Sequence, residues 1–263
     1  MDPLRINTNL AKKSIIKFIR EETSRRGFKK LVFGLSGGID STLVAVLSAG
    51  AIGPENVHAI IMPYKTTNEK DIDDAAAVAG TLNINTELID ITKMVDSHFE
   101  NIDTRGKHHF KGLRIRLGNM MARQRMSILY DRAKRHGALV SGTSNRTELL
   151  LGYFTRYGDG ACDINPIGAF YKTQVRQLAK DVGVSDAIIE KIPSAGFWPG
   201  QTDEAELGFL YEDVDKLLCF MADKKYSDKK LKKMGFKKNF IEKVRHLMEK
   251  NKFKTEPPPM ARL

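Results

Sequence analysis

Several common architectures can be set aside for want of material. The 263 residues hold only two cysteines, Cys162 and Cys219, far apart and without CxxC spacing. That excludes a disulfide framework and gives no thiolate zinc site. No apolar run approaches the roughly 18 residues that a membrane helix needs. The opening stretch "MDPLRINTNLAKKSIIKFIREE" lacks the basic-then-apolar order of a signal peptide and has the spacing of an amphipathic helix instead. The expectation is a cytoplasmic protein with no membrane contact. Internal repeats and low-complexity domains are missing too. So are the Gly-Lys-Ser/Thr ending of a Walker A loop and the GxGxxG of dinucleotide folds.

What is present fits an ordinary globular chain: 41% hydrophobic and 29% charged residues. The formal net charge of +11 raises the question of anionic partners: nucleic acid, membrane surface or phosphate-rich small molecules. The excess is concentrated in "KKYSDKKLKKMGFKKNFIEKVRHLMEKNKFK" near the C-terminus. Within it Phe240, Ile241, Val244, Leu247 and Met248 recur at helical spacing, which favours a packed helix with a solvated basic face over a nucleic-acid surface. No RNA- or DNA-reading motif accompanies it.

Strand-like apolar runs alternate with helical patterns, the mark of an α/β fold with an open parallel sheet flanked by helices. Strands are expected over residues 31–35, 57–63, 85–91 and 138–145. Helices are expected in "STLVAVLSAG", "NEKDIDDAAAVAGTL", "GLRIRLGNMMARQRMSILYDRAKRHG", "RTELLLGY" and "YKTQVRQLAKDVG". "PSAGFWPGQT" is rich in turn formers and reads as a surface loop. We expect a single domain over 1–263, with an α/β core over 1–200 and a basic helical extension over 201–263.

In such a sheet ligands sit beyond the carboxyl ends of the strands, where strand order reverses. Two loops end strands there: "SGGIDS" after the first and "GTSNRTE" after the fourth. The first offers backbone N–H groups and the hydroxyls of Ser36 and Ser41 at a helix N-terminus, a setting that favours phosphate. Asp40 would be misplaced against a polyphosphate unless a cation stood between them, which suggests Mg²⁺. Taken alone, the same loop is also an ordinary strand–turn–helix with Asp40 and Ser41 as caps.

The second block, "SGTSNRTELLLGYFTRYGDGACDINPIGAFYKTQVRQLA", brings Thr143, Glu148, Arg156, Asp159, Asp163 and Lys172 into one short stretch. Here the sequence resembles a known family. "SGGIDS" resembles the pyrophosphate loop of the N-type ATP pyrophosphatases, whose fold is adenine-nucleotide α-hydrolase-like. "GTSNRTE…GYFTRYGDGACDINPI…K" resembles the NAD synthetases specifically, and the likeness runs from about the first helix to the "PPP" tail. It implies amidation of nicotinic acid adenine dinucleotide (deamido-NAD): its carboxylate attacks the α-phosphate of ATP, pyrophosphate leaves, and ammonia displaces AMP.

The resemblance also implies roles. Gly34, Leu35, Ser36, Gly37, Gly38, Ile39, Asp40 and Ser41 would line the ATP phosphates, with Thr143, Lys172 and Ser194 as further ATP contacts. Asp40 and Glu148 would bind Mg²⁺. Arg123, Arg156, Asp163, Phe253 and Lys254 would bind deamido-NAD, and Asp159 would hold or deprotonate ammonium, with Lys172 as its catalytic companion. Two positions depart from the family. Ser194 in "IPSAG" replaces a threonine, and Phe253-Lys254 in "KFKTEPP" replaces His-Lys. A glutamine-hydrolysing form would need an extra amidase domain, so free ammonia is the expected nitrogen donor. A homodimer with the substrate across its interface is implied as well. Two rivals remain at this point: another enzyme with the same loop, such as a tRNA-modifying or GMP-forming pyrophosphatase, and a basic nucleic-acid-binding protein on a degenerate nucleotide fold.

Overall fold

A computed structural model describes residues 2–100, 107–194, 196–198 and 200–261. The described strands are β1 (Lys30–Gly34), β2 (Val57–Ile61), β3 (Asn85–Leu88) and β4 (Ala138–Val140). They form one parallel sheet in the order β3-β2-β1-β4. The helices are α1 (Thr8–Arg25), α2 (Ile39–Ile52), α3 (Glu69–Leu82), α4 (Thr92–Phe99), α5 (Lys107–His136) and α6 (Arg146–Leu151). Then follow α7 (Lys172–Asp181), α8 (Asp186–Ile189), α9 (Asp203–Leu207), α10 (Tyr211–Leu218), α11 (Asp228–Lys233) and α12 (Lys238–Asn251).

The period of two in β1 explains the layers. Leu31 and Phe33 point to one face and pack with α1, α2, α3 and α7 through Ile15, Ile19, Leu43, Ala75 and Leu178. Val32 points to the other face, where Val95 of α4 and Met121 and Ile128 of α5 cover it. Both faces are buried along β1, β2 and β4, as a parallel sheet requires, while the edge strand β3 is largely exposed. The C-terminal helices carry their own core of Leu207, Tyr211, Val214, Leu231, Ile241 and Val244, closed against Leu151 and Tyr171. Ile241 and Val244 are fully buried while Phe240, Leu247 and Met248 pack beside them. The basic stretch is thus the outside of packed helices, as its spacing foretold.

The expected strands all form, with β3 and β4 ending short of 91 and 145 because the chain turns into loops there. β1 is flanked by β2 on one side and β4 on the other, so strand order reverses between β1 and β4. The loops that leave these two strands open into the crevice at that reversal. Cys162 and Cys219 are both free.

Candidate active site

The loop after β1 is held by its own serines. Ser36 N–H donates to Ser41 Oγ (3.2 Å), the two hydroxyls lie 3.1 Å apart, and Ser41 Oγ donates to the Gly38 carbonyl (3.1 Å). Gly38 precedes α2 and provides no side-chain cap. The first N–H groups of α2 therefore keep their donors for a ligand, and the helix dipole favours an anion there. Gly37 sits at φ +74°, and a β-carbon on it would collide with the carbonyl oxygen of Asp71. No other residue fits this turn.

Across the crevice α6 begins with a reciprocal cap: Glu148 N–H donates to Asn145 Oδ1 (3.0 Å) and Asn145 N–H to Glu148 Oε2 (3.1 Å). Asn145 spends its amide on Asp40 Oδ1 at 3.1 Å, so one asparagine ties the two loops together. Between the acids lies Lys172, only 3% exposed. It is ion-paired to Asp40 and 3.9 Å from Glu148 Oε1. Burial, reinforced by the charge of Asp40, pushes the Glu148 carboxyl well above its usual range. Burial opposes the Lys172 charge, yet Asp40 and Glu148 hold its ammonium above the usual lysine range.

Lys172 is placed by a second, buried set of bonds. Its backbone N–H donates to Thr147 Oγ1 (3.0 Å), and that hydroxyl donates to Asp215 Oδ1 (2.5 Å). Asp215 also accepts the Thr173 N–H at 2.8 Å. A third carboxyl, Asp203, closes the same wall. It accepts from the hydroxyls of Tyr211 (2.9 Å) and Tyr153 (3.1 Å), and burial raises its pKa.

This polar lobe, about 210 Å³, is lined by Ser36, Gly38, Asp40, Thr143, Lys172 and Ser194 among others. An apolar lobe of about 280 Å³ adjoins it, sharing Ser36, Asp71, Thr143, Asp159 and Ser194. Ile60, Met62, Leu129 and Phe197 form the walls of this second lobe, and its cation is Arg125. Arg125 donates to the Met62 carbonyl at 3.0 Å; burial lowers its pKa to about 10, with Asp159 opposing. Asp159 stands where the lobes meet, accepts the Thr155 N–H at 2.9 Å, and is raised above the usual carboxylate range by burial. It therefore both shapes its turn and faces the cleft.

The remaining residues expected at the site are distributed unevenly. Gly34 and Leu35 line the apolar lobe and Ile39 the polar one, whereas Gly37 and Ser41 build the loop from behind. Ser194 Oγ accepts the Gly196 N–H at 3.0 Å. Arg123 is exposed and donates to the Arg156 carbonyl (3.4 Å); Arg156 donates to the Glu256 carbonyl (3.0 Å) and lies over the rings of Tyr157 and Phe253. Asp163 lines neither lobe: it accepts the Val140 N–H at 2.7 Å and pins β4. Lys254 donates to the carbonyls of Gly152 (2.7 Å) and Phe154 (3.1 Å), and burial lowers its pKa. Asn145, Asp203, Tyr153, Arg125 and Lys191 are site residues that the sequence reading did not single out. Only Asn145, inside the "GTSNRTE" block and three residues before a glutamate, carried a local signal for its capping role.

A magnesium ion fits the donor chemistry. Asp40 and Glu148 present hard carboxylate oxygens to one polar lobe, with a buried ammonium already between them. Mg²⁺ takes one or two carboxylates and completes its shell from water and phosphate oxygens.

The family model for NAD synthase matches residues 11–258. The chain belongs to the NAD synthase family. An NH(3)-dependent NAD(+) synthetase from Trichlorobacter lovleyi is 46% identical over 263 residues, covering 100% of this chain and 94% of that protein. Among solved structures, an NH3-dependent NAD synthetase from Campylobacter jejuni, in complex with the nitrate ion, is 33% identical with a TM-score of 0.81. It covers 98% of this chain and 100% of its own. An NMN synthetase from Francisella tularensis is 30% identical, with a TM-score of 0.83 and the same coverage. Family membership removes both rivals: the cleft is that of an NAD synthase fold, and the basic helices are its exterior.

Proposed function

We propose that this NAD synthase family member is a ligase that makes NAD from deamido-NAD, ATP and ammonia, releasing AMP and pyrophosphate. The observation that carries the reading is the convergence of Asp40, Lys172 and Glu148 on the phosphate loop, beside an apolar lobe fit for an adenosine. Adenine and ribose take the lobe walled by Ile60, Met62 and Leu129. The triphosphate runs to the N-terminus of α2, with Thr143 and Ser194 at the junction.

In the first step a carboxylate oxygen of deamido-NAD bonds to the α-phosphorus, and the bond to pyrophosphate breaks. Lys172 and the loop N–H groups stabilise the charge gathering on the leaving group. Magnesium bound by Asp40 and Glu148 would neutralise phosphate charge. In the second step the ammonia nitrogen bonds to the acyl carbon, and AMP departs with the electron pair of the broken C–O bond. Ammonium is unreactive until it loses a proton, and Asp159, at the junction of the lobes, attracts the cation and takes that proton. Arg123 and Arg156, cations on the rim, are assigned to the substrate's phosphates, with Phe253 stacked behind Arg156. The assignments of Asp163 and Lys254 to the same substrate rest on the family motif, since each side chain here bonds backbone groups. We further read the enzyme as a cytoplasmic homodimer, a reading supported by the family resemblance; light scattering of the purified protein would test the dimer.

The likeness to an NMN synthetase gives a second reading, in which the mononucleotide acid is the preferred acceptor. Purified protein with ATP, magnesium and ammonium separates the two: deamido-NAD should yield NAD, AMP and pyrophosphate in equal amounts. Preferential turnover of nicotinic acid mononucleotide would favour the second reading, and ADP formation would reject both.

A further inference from the structure

A second lysine reaches the phosphate loop from outside the Asp40–Lys172–Glu148 cluster. Lys191 lies just beyond α8, three residues before Ser194. Its ammonium is 2.5 Å from Asp71 Oδ1, 2.6 Å from Asp74 Oδ2 and 3.4 Å from the carbonyl oxygen of Gly37. An ammonium has three donors, and here each has a partner. Two of those partners are charged and belong to α3. The third belongs to the phosphate loop, and it has a consequence that an ion pair alone would not.

The described chain has no cis peptide bond, so the carbonyl of Gly37 and the N–H of Gly38 point in opposite directions from one rigid plane. With the carbonyl held by Lys191, the Gly38 N–H donates to Ser36 Oγ (3.3 Å), and Ser36, Gly38 and Lys191 all line the polar lobe. The peptide is flanked by two glycines, so no side chain resists its rotation. Flipped, it would aim a carbonyl oxygen into the space where anionic phosphates bind, replacing an attractive dipole with a repulsive one. Gly37 cannot be stiffened by a side chain, because a β-carbon there would strike the Asp71 carbonyl. The plane has to be held from outside.

We propose that Lys191 is a positioning residue for pyrophosphate binding: by gripping the Gly37 carbonyl it fixes the 37–38 peptide with its N–H toward the phosphates. Asp71 and Asp74 tie the ammonium to α3. This rests on the cleft being an ATP site, and the test keeps the two ideas apart.

Calorimetric titration of the folded protein with inorganic pyrophosphate and with magnesium ATP measures the loop directly, whatever the acceptor substrate. Lys191→Met should weaken both ligands by about tenfold or more, the size of one charge-assisted hydrogen bond. Lys191→Arg, which keeps a donor for the carbonyl, should recover most of that loss. Asp74→Asn, which weakens the tie to α3 but leaves the grip on Gly37, should cost less than about threefold. In turnover, the KM for ATP should rise while that for the acceptor stays within about twofold. Lys191→Gln carries the same expectation as the methionine variant and serves if that variant does not fold. Pyrophosphate binding unchanged in a folded Lys191→Met or Lys191→Gln protein would overturn the proposal, as would an equal loss in Asp74→Asn. A parent protein that binds pyrophosphate through Lys191 but makes no NAD would overturn the functional reading and leave the role of Lys191 standing.

Discussion

Replacing Asp159 by asparagine separates the two jobs this residue holds. Its Oδ1 accepts the Thr155 N–H at 2.9 Å, and an asparagine Oδ1 accepts the same bond. The turn and its contribution of about 1 kcal/mol are retained. What disappears is a carboxylate that opens onto the cleft at the junction of the two lobes. Burial raises its pKa, with the Thr155 amide and Arg125 opposing. A carboxyl raised in the folded state binds its proton more tightly there than in the unfolded chain. The stability it contributes is therefore present at low pH and is lost as pH climbs from the unfolded value, about 4, through the raised folded value. Because Asp159 opens onto the cleft, solvent screens this term: Asp159→Asn should change the melting temperature little across that window and leave the protein at pH 8 at least as stable as the parent. Its chemistry should fail selectively: NAD formation falls by about 10²–10⁴, the span of general acid–base effects. Exchange of labelled pyrophosphate into ATP, driven by deamido-NAD without ammonium, should persist. Raising the pH should restore part of the lost rate, because more of the nitrogen is then free ammonia. Equal loss of exchange and amidation in a protein with a native melting temperature would refute the assignment, and so would wild-type NAD formation.

Other consequences follow from the same geometry. Asp40→Asn or Glu148→Gln should each reduce pyrophosphate exchange by about 10²-fold or more, since each removes a carboxylate oxygen from the pair proposed to hold magnesium; exchange at the parent rate would disprove that proposal. Lys172→Met should leave the half-buried Asp40 and Glu148 without their buried cation, at a cost of about 3 kcal/mol by chemical denaturation. Its activity should not return when ATP is raised. Lys254→Met should destabilise the fold by about 1–3 kcal/mol through the freed carbonyls of Gly152 and Phe154, and an unchanged denaturation midpoint would show that those bonds contribute nothing.

The phosphate loop was legible because its chemistry is local. Gly37 and Gly38 permit a backbone conformation, Ser36 and Ser41 close it, and a strand before it fixes where it points. The pairing of the loops after β1 and β4 was legible from the strand pattern and is borne out by the Asn145–Asp40 bond. In the structure the alternation in β1 sends Leu31 and Phe33 to one helical layer and Val32 to the other. What stayed hidden depends on distance along the chain. Asp203 and Asp215 lie in stretches that read as helical surface, yet the fold folds them under Lys172. Lys191 resembles any lysine between two helices until α3 brings Asp71 and Asp74 to it. Lys254 shows the converse: the family resemblance implied a deamido-NAD contact, and the carbonyls its ammonium meets here are set by where the last helix packs on α6. Asp163 was similar, a carboxylate whose first partner is the edge of β4.

Oxygen tracing tests the adenylation chemistry most directly. Deamido-NAD labelled with ¹⁸O in its nicotinic carboxylate is incubated with the protein, ATP, magnesium and ammonium, and AMP, pyrophosphate and NAD are read by mass spectrometry. Attack of that carboxylate on the α-phosphorus predicts one labelled oxygen in each AMP, one retained in the amide of NAD, and none in pyrophosphate. Label in pyrophosphate or orthophosphate, or unlabelled AMP formed alongside NAD, would contradict the account.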